Sequence, residues 1–321
     1  MYKLLVDSKV TEKRYDITEL TNNTNISFYR KSTASKLEFT IDKDNVAVFN
    51  EGDVVYFYDD NKPIIKAYIF AKESNESKKI SVNCYDQLRY LKAKQTFEFI
   101  GKSLKQIITI IANYFGLNIG YIEDVPYITN YYYHEDESAF DIIDYHVQQS
   151  KIMTGKEIVF YDDFGMLTLK YADSMVSNYI LGVDSFVDTY NYKTDIDNNT
   201  YNIIKLVRPN KDTGKADLYM AKDDNNIKAW GMLQYYEVMD ENLNKEQLKE
   251  YLKLLFNYHN RKFRTLKLDA IGIPELRGGN TIYIDIPDIG DISINRSLLI
   301  DSITHKYTSN SHTMSLEMEV R

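Results

Sequence analysis

Four strand-like stretches near the amino terminus return in the same order near the carboxyl terminus, and this repetition limits the fold more than any other feature of the 321 residues. LEFTI (37–41) lines up with LKLDA (266–270), an offset of 229 (266 − 37). Gly52 with DVVYFY matches Gly279 with NTIYID, an offset of 227 (279 − 52). IIKAYIFAK aligns with LIDSITHKY so that Ile69 falls on Ile303, and KISVNC falls on TMSLEM; both offsets are 234 (303 − 69, 314 − 80). Ile80, Val82 and Cys84 thereby sit on Met314, Leu316 and Met318, and the middle loop of the second copy is seven residues longer (234 − 227). Each stretch is rich in β-branched and aromatic residues, and polar breaks such as DKDN, EGD, DDNKP and KESNES separate them. Strands this short and regular predict a small antiparallel barrel or sandwich, present twice.

Between the copies the periodicity changes. Ser103 and Gln106 form a capping-box pattern ahead of Leu104, Ile107, Ile108 and Ile111 at helical spacing. Ser138 caps a second predicted helix with Phe140, Ile143 and Val147 on its apolar face, and EIVFYD and MLTLKY follow as strands across the turn Asp163-Phe164-Gly165. Asn244 and Gln247 open a further helix whose stripe is Leu248, Tyr251, Leu252, Leu255 and Tyr258. The expected class is therefore β-rich α+β. Residues 1–98 form the first barrel, 99–176 an inserted α/β domain, and 177–321 the second barrel with a helical insertion around 243–260. FIGKSLKQIITIIANYFGLNIG resembles the opening half of a LysM peptidoglycan-binding module, without a convincing second half.

Composition narrows the chemistry. A formal charge of −8 with no long run of like charges argues against a nucleic-acid surface. No apolar run approaches the ~20 residues of a membrane span, and the amino terminus lacks the pattern of a signal peptide. The single cysteine, Cys84, alternates with Ile80 and Val82, which points its thiol into a core, and Asp86 opposes its ionisation. His134 in YYYHEDES stands alone before the Ser138 cap, so that stretch reads as an acidic helix start rather than a metal site. His305 and His312 flank a turn and can meet across a hairpin; two histidines without a third ligand make a structural pair. Their counterparts in the first copy are Ala71 and Lys78, while His146 and His259 fall in helices without an assigned role. Arg277-Gly278-Gly279-Asn280 precedes a strand and lacks the ending of a phosphate loop. No residue is assigned a catalytic, cofactor-binding or metal-binding role, and no cofactor is expected.

Four features, RKSTASKLEFTI with EGDVVYFY, CYDQLRYLKAKQTFEF with GKSLKQIITIIANYFGL, the stretch from IKAWGML to NTIYIDI, and ITHKYTSNSHTMSLEMEV, run in order along nearly the whole chain. Together they resemble the XkdQ/YqbQ-type family of phage tails and phage-like particles, relatives of the late control protein D and of contractile-tail baseplate hubs. Residues 177–230 match little beyond β character. The resemblance implies a non-enzymatic structural protein with two tail-tube-like barrels per chain. It implies a homotrimer whose six barrels (3 × 2) adapt a sixfold tube to a threefold spike. Implied partners are the tail tube protein, the spike or puncturing protein, baseplate wedge and LysM-type tail proteins, and the tape measure protein. Assembly is implied in the bacterial cytoplasm, ending in the baseplate of a phage, prophage-derived or tailocin particle. Three chains at −8 give −24, which would keep a passing phosphate backbone from adhering. The alternatives are a tail-associated cell-wall hydrolase or peptidoglycan-binding module, and a soluble polysaccharide-binding protein.

Overall fold

Alternation along KLEFTID puts Leu37, Phe39 and Ile41 on one face of a strand, and all three are buried in the computed structural model. The structure describes residues 2–31, 33–42, 47–74, 76, 78–129, 131–182, 185–197, 199–210, 214–239, 241, 243–290 and 292–320. The chain divides into two units, Met1–Asn191 with Lys267–Met318, and Tyr192–Leu266 with Glu319–Arg321. In the first unit the chain begins with β1 (Tyr2–Ser8), β2 (Lys13–Asp16), β3 (Thr21–Tyr29), β4 (Lys36–Asp42), β5 (Val54–Asp59), β6 (Lys62–Ser74) and β7 (Lys79–Tyr85). They lie in the order β3-β4-β7-β6-β5-β1-β2. Asp60 and Asn61, both at positive φ, make the tight turn between β5 and β6 that the twist of a two-residue hairpin favours. Residues 43–45 of DKDN, and Asn75 and Ser77 of KESNES, lie outside the described residues.

A second core follows in the same unit. β8 (Lys94–Ile100) pairs with β10 (Tyr131–Ser138), while β9 (Ile119–Ile122) pairs with β12 (Leu167–Tyr171), which in turn pairs with β11 (Ile158–Asp162). Helices α1 (Leu104–Tyr114) and α2 (Ala139–Thr154) pack into this core through Leu104, Ile107, Ile108, Ile111, Phe140, Ile143 and Val147. Both helices start where the sequence places them, on Ser103, which forms a full capping box with Gln106, and on Ser138, which accepts from the Asp141 N–H.

YYYHEDES departs from expectation. It is strand β10, not a helix start, because Tyr132 and His134 point inward while Tyr131, Tyr133 and Glu135 point out, a period of two. The pairing with β8 shifts register between His134 and Glu137, where Asp136 takes a positive φ. Only at Ser138 does the chain turn helical.

β13 (Val176–Gly182) and β14 (Val187–Asp195) come next. The second unit then carries β15 (Ile203–Asn210), β16 (Lys215–Lys222), α3 (Asp224–Trp230), β17 (Gln234–Val238) and α4 (Lys245–His259). β15 lies between β16, antiparallel, and β17, parallel. α4 opens on an Asn244–Gln247 capping box and is buried against the sheet through Leu248. The remaining stripe residues, Tyr251, Leu252, Leu255 and Tyr258, are half-buried.

The chain closes with β18 (Phe263–Ile271), β19 (Thr281–Ile289), β20 (Ile292–Thr308) and β21 (His312–Glu319). The order β18-β21-β20-β19 repeats β4-β7-β6-β5. β14 lies beside β18 as β3 lies beside β4, and β13 pairs with β19 where β1 pairs with β5, although parallel instead of antiparallel. The backbone bonds repeat too. Gly52 N donates to Ile69 O (2.7 Å) and Ile69 N to Asp53 O (3.0 Å); Gly279 N donates to Ile300 O (2.8 Å) and Ile300 N to Asn280 O (2.9 Å).

These bonds correct one alignment. Ile69 corresponds to Ile300, not Ile303, because Ile69 faces Cys84 and Ile300 faces Met318 across the next strand. Each long strand then carries one extra residue before pairing resumes, Phe70 in β6 and Asp301 in β20. The offset along this strand is 231 (300 − 69), so the seven extra residues divide into four between Gly279 and Ile300 and three between Ile300 and Met318. On the same register His305 corresponds to Ser74 rather than Ala71 (305 − 231). The extra residue Asp301 reverses side-chain parity along β20, so Ile300 and Ile303, three residues apart, are both buried and LIDSITHKY offers an inward apolar residue at either spacing. Cys84 and Met318 remain partners, both fully buried.

Gly52 and Gly279 both sit at positive φ, +88° and +97°. A Cβ on Gly52 would lie 3.9 Å from the Lys9 amine, whereas one on Gly279 would stand 2.5 Å from Val159 Cγ1. Gly52→Ala is therefore expected to cost about 1–2 kcal/mol of backbone strain and Gly279→Ala clearly more, through added overpacking. Cys84→Ala should cost about 1–2 kcal/mol as a small core truncation. Thermal or urea unfolding of the three variants reads this ranking, and a Gly279→Ala protein as stable as Gly52→Ala would contradict the assigned packing.

Candidate functional site

Past Cys84 the chain leaves the sheet through a buried polar turn. Asp86 Oδ2 accepts from Ser35 N (2.9 Å) and Oδ1 from Leu88 N (2.9 Å), capping the short helical turn Gln87–Lys92. Leu88 and Leu91 then enter the core that holds α1 and α2. Gln87 Nε2 donates to Asp162 Oδ2 (2.7 Å) and to Asn118 O (3.2 Å), and its Oε1 accepts from Asn118 N (3.0 Å). Asp162 Oδ1 accepts from Gly165 N (2.7 Å), and Arg277 Nη2 donates to Asp162 O (2.6 Å). The Arg277 guanidinium also lies over the Tyr161 ring, 4.0 Å from its centroid. Burial raises both carboxyl pKa values, and the Asp162 charge raises Asp86 further. Burial likewise pushes the Cys84 thiol up, with Glu38 adding to it. A thiol held protonated inside a core is a filler, not a nucleophile.

The histidines gather where sequence spacing gives no hint. His134 and His146, one on β10 and one on α2, are fully buried with their Nε2 atoms 3.0 Å apart. His146 Nδ1 meets the Tyr127 hydroxyl (2.9 Å) and His134 Nδ1 meets Glu137 Oε2 (3.1 Å), so one relay of hydrogen bonds crosses the second core. His305 and His312 do meet across their hairpin, Nδ1 to Nε2 at 3.0 Å, and His305 Nε2 bonds to Leu276 O (2.8 Å). His312 stacks on Tyr307 at 3.8 Å between ring centroids. In the second unit His259 Nδ1 bonds to Asn199 O (2.6 Å). Among the described residues no group of three or more His, Cys, Asp or Glu side chains is placed to hold a metal ion. Nor is any described helix long and apolar enough to cross a membrane.

A third cluster surrounds Arg30, whose side chain is almost completely buried at the end of β3. Its Nε donates to Asp301 Oδ1 (2.8 Å), Nη2 pairs with the same carboxylate, and Nη1 reaches Glu157 Oε2 (3.2 Å). Lys151 Nζ shares Glu157 (3.2 Å), and burial lowers its pKa. Arg30 and Lys151, with Lys31, Asp144, Phe140 and Phe160, line a cleft in the first unit. Its charges are largely satisfied internally, so the cleft is a structural joint.

Two strand edges face solvent, one of them with exposed apolar side chains. β2 pairs on one side only, with β1, and β13 on one side only, with β19, among the described residues. Val176 and Ile180 on β13 are more than half exposed. An unpaired strand edge offers free backbone N–H and C=O groups to a further strand.

The histidines set a pH response. His305, His146 and His312 are pushed down to about 3, about 3 and about 4 by burial, and His134 and His259 are lowered for the same first reason. An unfolded histidine takes up a proton near pH 6.5. Below that pH the unfolded chain therefore binds more protons than the folded one, and stability falls as pH drops. Asp86 and Asp162, with raised pKa values, act oppositely over the range between the ordinary carboxylate value and their own. With five histidines against two carboxyls, the unfolding midpoint is expected to fall from pH 7 to pH 5. Replacing His305 and His312 together by Gln should flatten that slope, and an unchanged slope in scanning calorimetry would count against the buried neutral pair.

The comparisons with known proteins agree with this picture. The model of the YqbQ-like family matches residues 24–319. The uncharacterized protein YqbQ of Bacillus subtilis (strain 168) is 30% identical over 272 residues, 84% of this chain and 81% of that protein. The phage-like element PBSX protein XkdQ of the same organism is 27% identical over 84% of this chain and 82% of its own length. Among solved structures, the 43 kDa tail protein of prophage MuSo2 from Shewanella oneidensis superposes with a TM-score of 0.73 at 13% identity, covering 99% of this chain and 98% of that one. The Escherichia coli c3393 protein, a type VI secretion component described as similar to the T4 tail proteins gp27 and gp5, gives 0.56 at 9% identity over 93% of this chain and 73% of that one. The fold is that of a phage tail protein, and the chain belongs to the YqbQ-like family.

Proposed function

We propose that this chain is a structural component of a phage or phage-like tail, and specifically the homotrimeric hub that joins a sixfold tube to a threefold spike. The observation that carries this reading is the repeated order β4-β7-β6-β5 and β18-β21-β20-β19 within one sheet. Three chains with two such copies each offer six similar units (3 × 2). A symmetry adapter needs that number. Heterologous contacts close such a ring, and the open edges at β2 and β13 are suited to make them. In this reading each copy curves as a tube-like barrel, residues 99–176 form a separate inserted domain, and the chain acts by assembly, without catalysis. The tube protein would stack on one face, the spike or puncturing protein on the other, and baseplate wedge, LysM-type and tape measure proteins around them. A charge of −8 per chain suits a channel that passes a phosphate backbone.

Cryo-electron microscopy of tails containing the tagged chain is the test. Three copies at one end of each tube are expected. A sixfold ring repeated along the tube would make it a tube subunit instead, and clearing of peptidoglycan in a zymogram by the purified chain would sink the non-enzymatic reading.

A further inference from the structure

In the second unit, β16 reads KADLYMAK, apolar on both faces. Tyr219 and Ala221 share the face of Ile204, Leu206, Tyr235 and Glu237, where the Tyr251 hydroxyl of α4 donates to Glu237 (3.2 Å). The opposite face carries Leu218, Val207 and Val238 in one row and Met220, Lys205 and Tyr236 in the next, fixed by the registers Val207↔Leu218, Val207↔Val238, Lys205↔Met220 and Lys205↔Tyr236. Leu218, Val238 and Tyr236 are 60%, 61% and 57% exposed, and Met220 is 49%. A sheet covered on one side normally turns polar residues to water on the other, and a parallel pair such as β15–β17 is normally covered on both.

We propose that this open face is a docking surface for an amphipathic helix with acidic flanks, carried by another polypeptide of the tail. A helix about 10 Å across fits the roughly 10 Å between the outer strands, and would complete a helix–sheet–helix sandwich opposite α4. The charge follows from Lys205, which stands mid-face without a carboxylate partner among the described residues; Lys222, at the end of the β16 row, is already paired with Asp224 (2.9 Å), and no strand position on this face is acidic. A second copy of this chain is a poor occupant, since α1 and α2 spend their apolar faces on their own core and α4 covers the other side of this sheet. Exposed Met220 suits a surface that adapts to a partner.

The inference rests on the tail reading, and one experiment separates the two. Tyr236 of the full chain is replaced by the photo-cross-linker p-benzoylphenylalanine, with Lys249 on the outer side of α4 as the control position, in cells producing the complete tail. Co-sedimentation of the chain with tails tests the tail reading; peptide sequencing of the cross-link in irradiated cells tests the docking. The expected product at Tyr236 is a peptide of another protein, net acidic, with apolar residues at i, i+3, i+4 and i+7. Leu218→Glu with Val238→Glu should reduce its yield about tenfold or more without changing the thermal midpoint, and Lys205→Glu should weaken it while Lys205→Arg retains it. A peptide from this chain, a basic peptide, a period-two pattern, or no cross-link above the Lys249 control would each overturn the proposal.

Discussion

One strand pair holds the two copies of the repeated unit in a single sheet. β3 and β20 run antiparallel from Tyr29↔Ser302 to Asn23↔Thr308, with Ser27 Oγ and Thr304 Oγ1 2.8 Å apart across the ladder. Where the ladder ends, Arg30 N donates to Asp301 O (2.9 Å) and the Arg30 side chain grips the Asp301 carboxylate. Asp301 is the extra residue of β20, so the irregularity that shifts its pairing with β21 also turns a carboxylate towards β3. A buried guanidinium is costly without anions, and two carboxylates supplied from separate elements meet that need only when both are in place. The joint therefore specifies the arrangement more than it strengthens it.

The second core of the first unit is tied to this frame by polar groups. Asp86 closes on Ser35, Gln87 spans Asn118 and Asp162, and Arg277 reaches Asp162 from the second copy. Among the described residues nearly every buried polar atom of that network has a partner, Arg277 Nε being the exception, which is what makes such a network tolerable in a dry interior. Its contribution is positional, because net hydrogen-bond energies are small while unmatched ones are expensive.

Much of this was legible in the residues. The repeated strand stretches, the Ser103, Ser138 and Asn244 caps and the space-filling Cys84 all follow from local chemistry with a fixed period or a fixed partner three residues on. The register of β20 was not, because period-two patterns are blind to a one-residue insertion until the neighbouring strand is known. YYYHEDES misled because its acids suggested a helix start, whereas parity across Tyr132 and His134 already marked a strand. The His134–His146 contact joins a strand to a helix by tertiary packing alone, and no sequence spacing encodes it. The open face of β16 was readable in KADLYMAK once its strand character is assumed, but which side α4 takes is decided only by the fold.

Comparison of the copies shows what duplication leaves free. The frame is shared: four strands in one order, a glycine at positive φ before the second, and the same pair of backbone bonds to Ile69 and Ile300. The surroundings are not. Gly52 faces the flexible end of Lys9, whereas Gly279 is pressed against Val159 of the inserted core. The extra residue is Phe70 in one copy, packed among Tyr85, Tyr90 and Arg89, and Asp301 in the other, held by Arg30. The neighbour of the second strand runs antiparallel in one copy and parallel in the other. Backbone hydrogen bonds need no particular side chain, so a duplicated sheet keeps its frame while its outward residues are reassigned to unlike neighbours. In this chain the division between shared frame and reassigned surface falls between ladder and bulge.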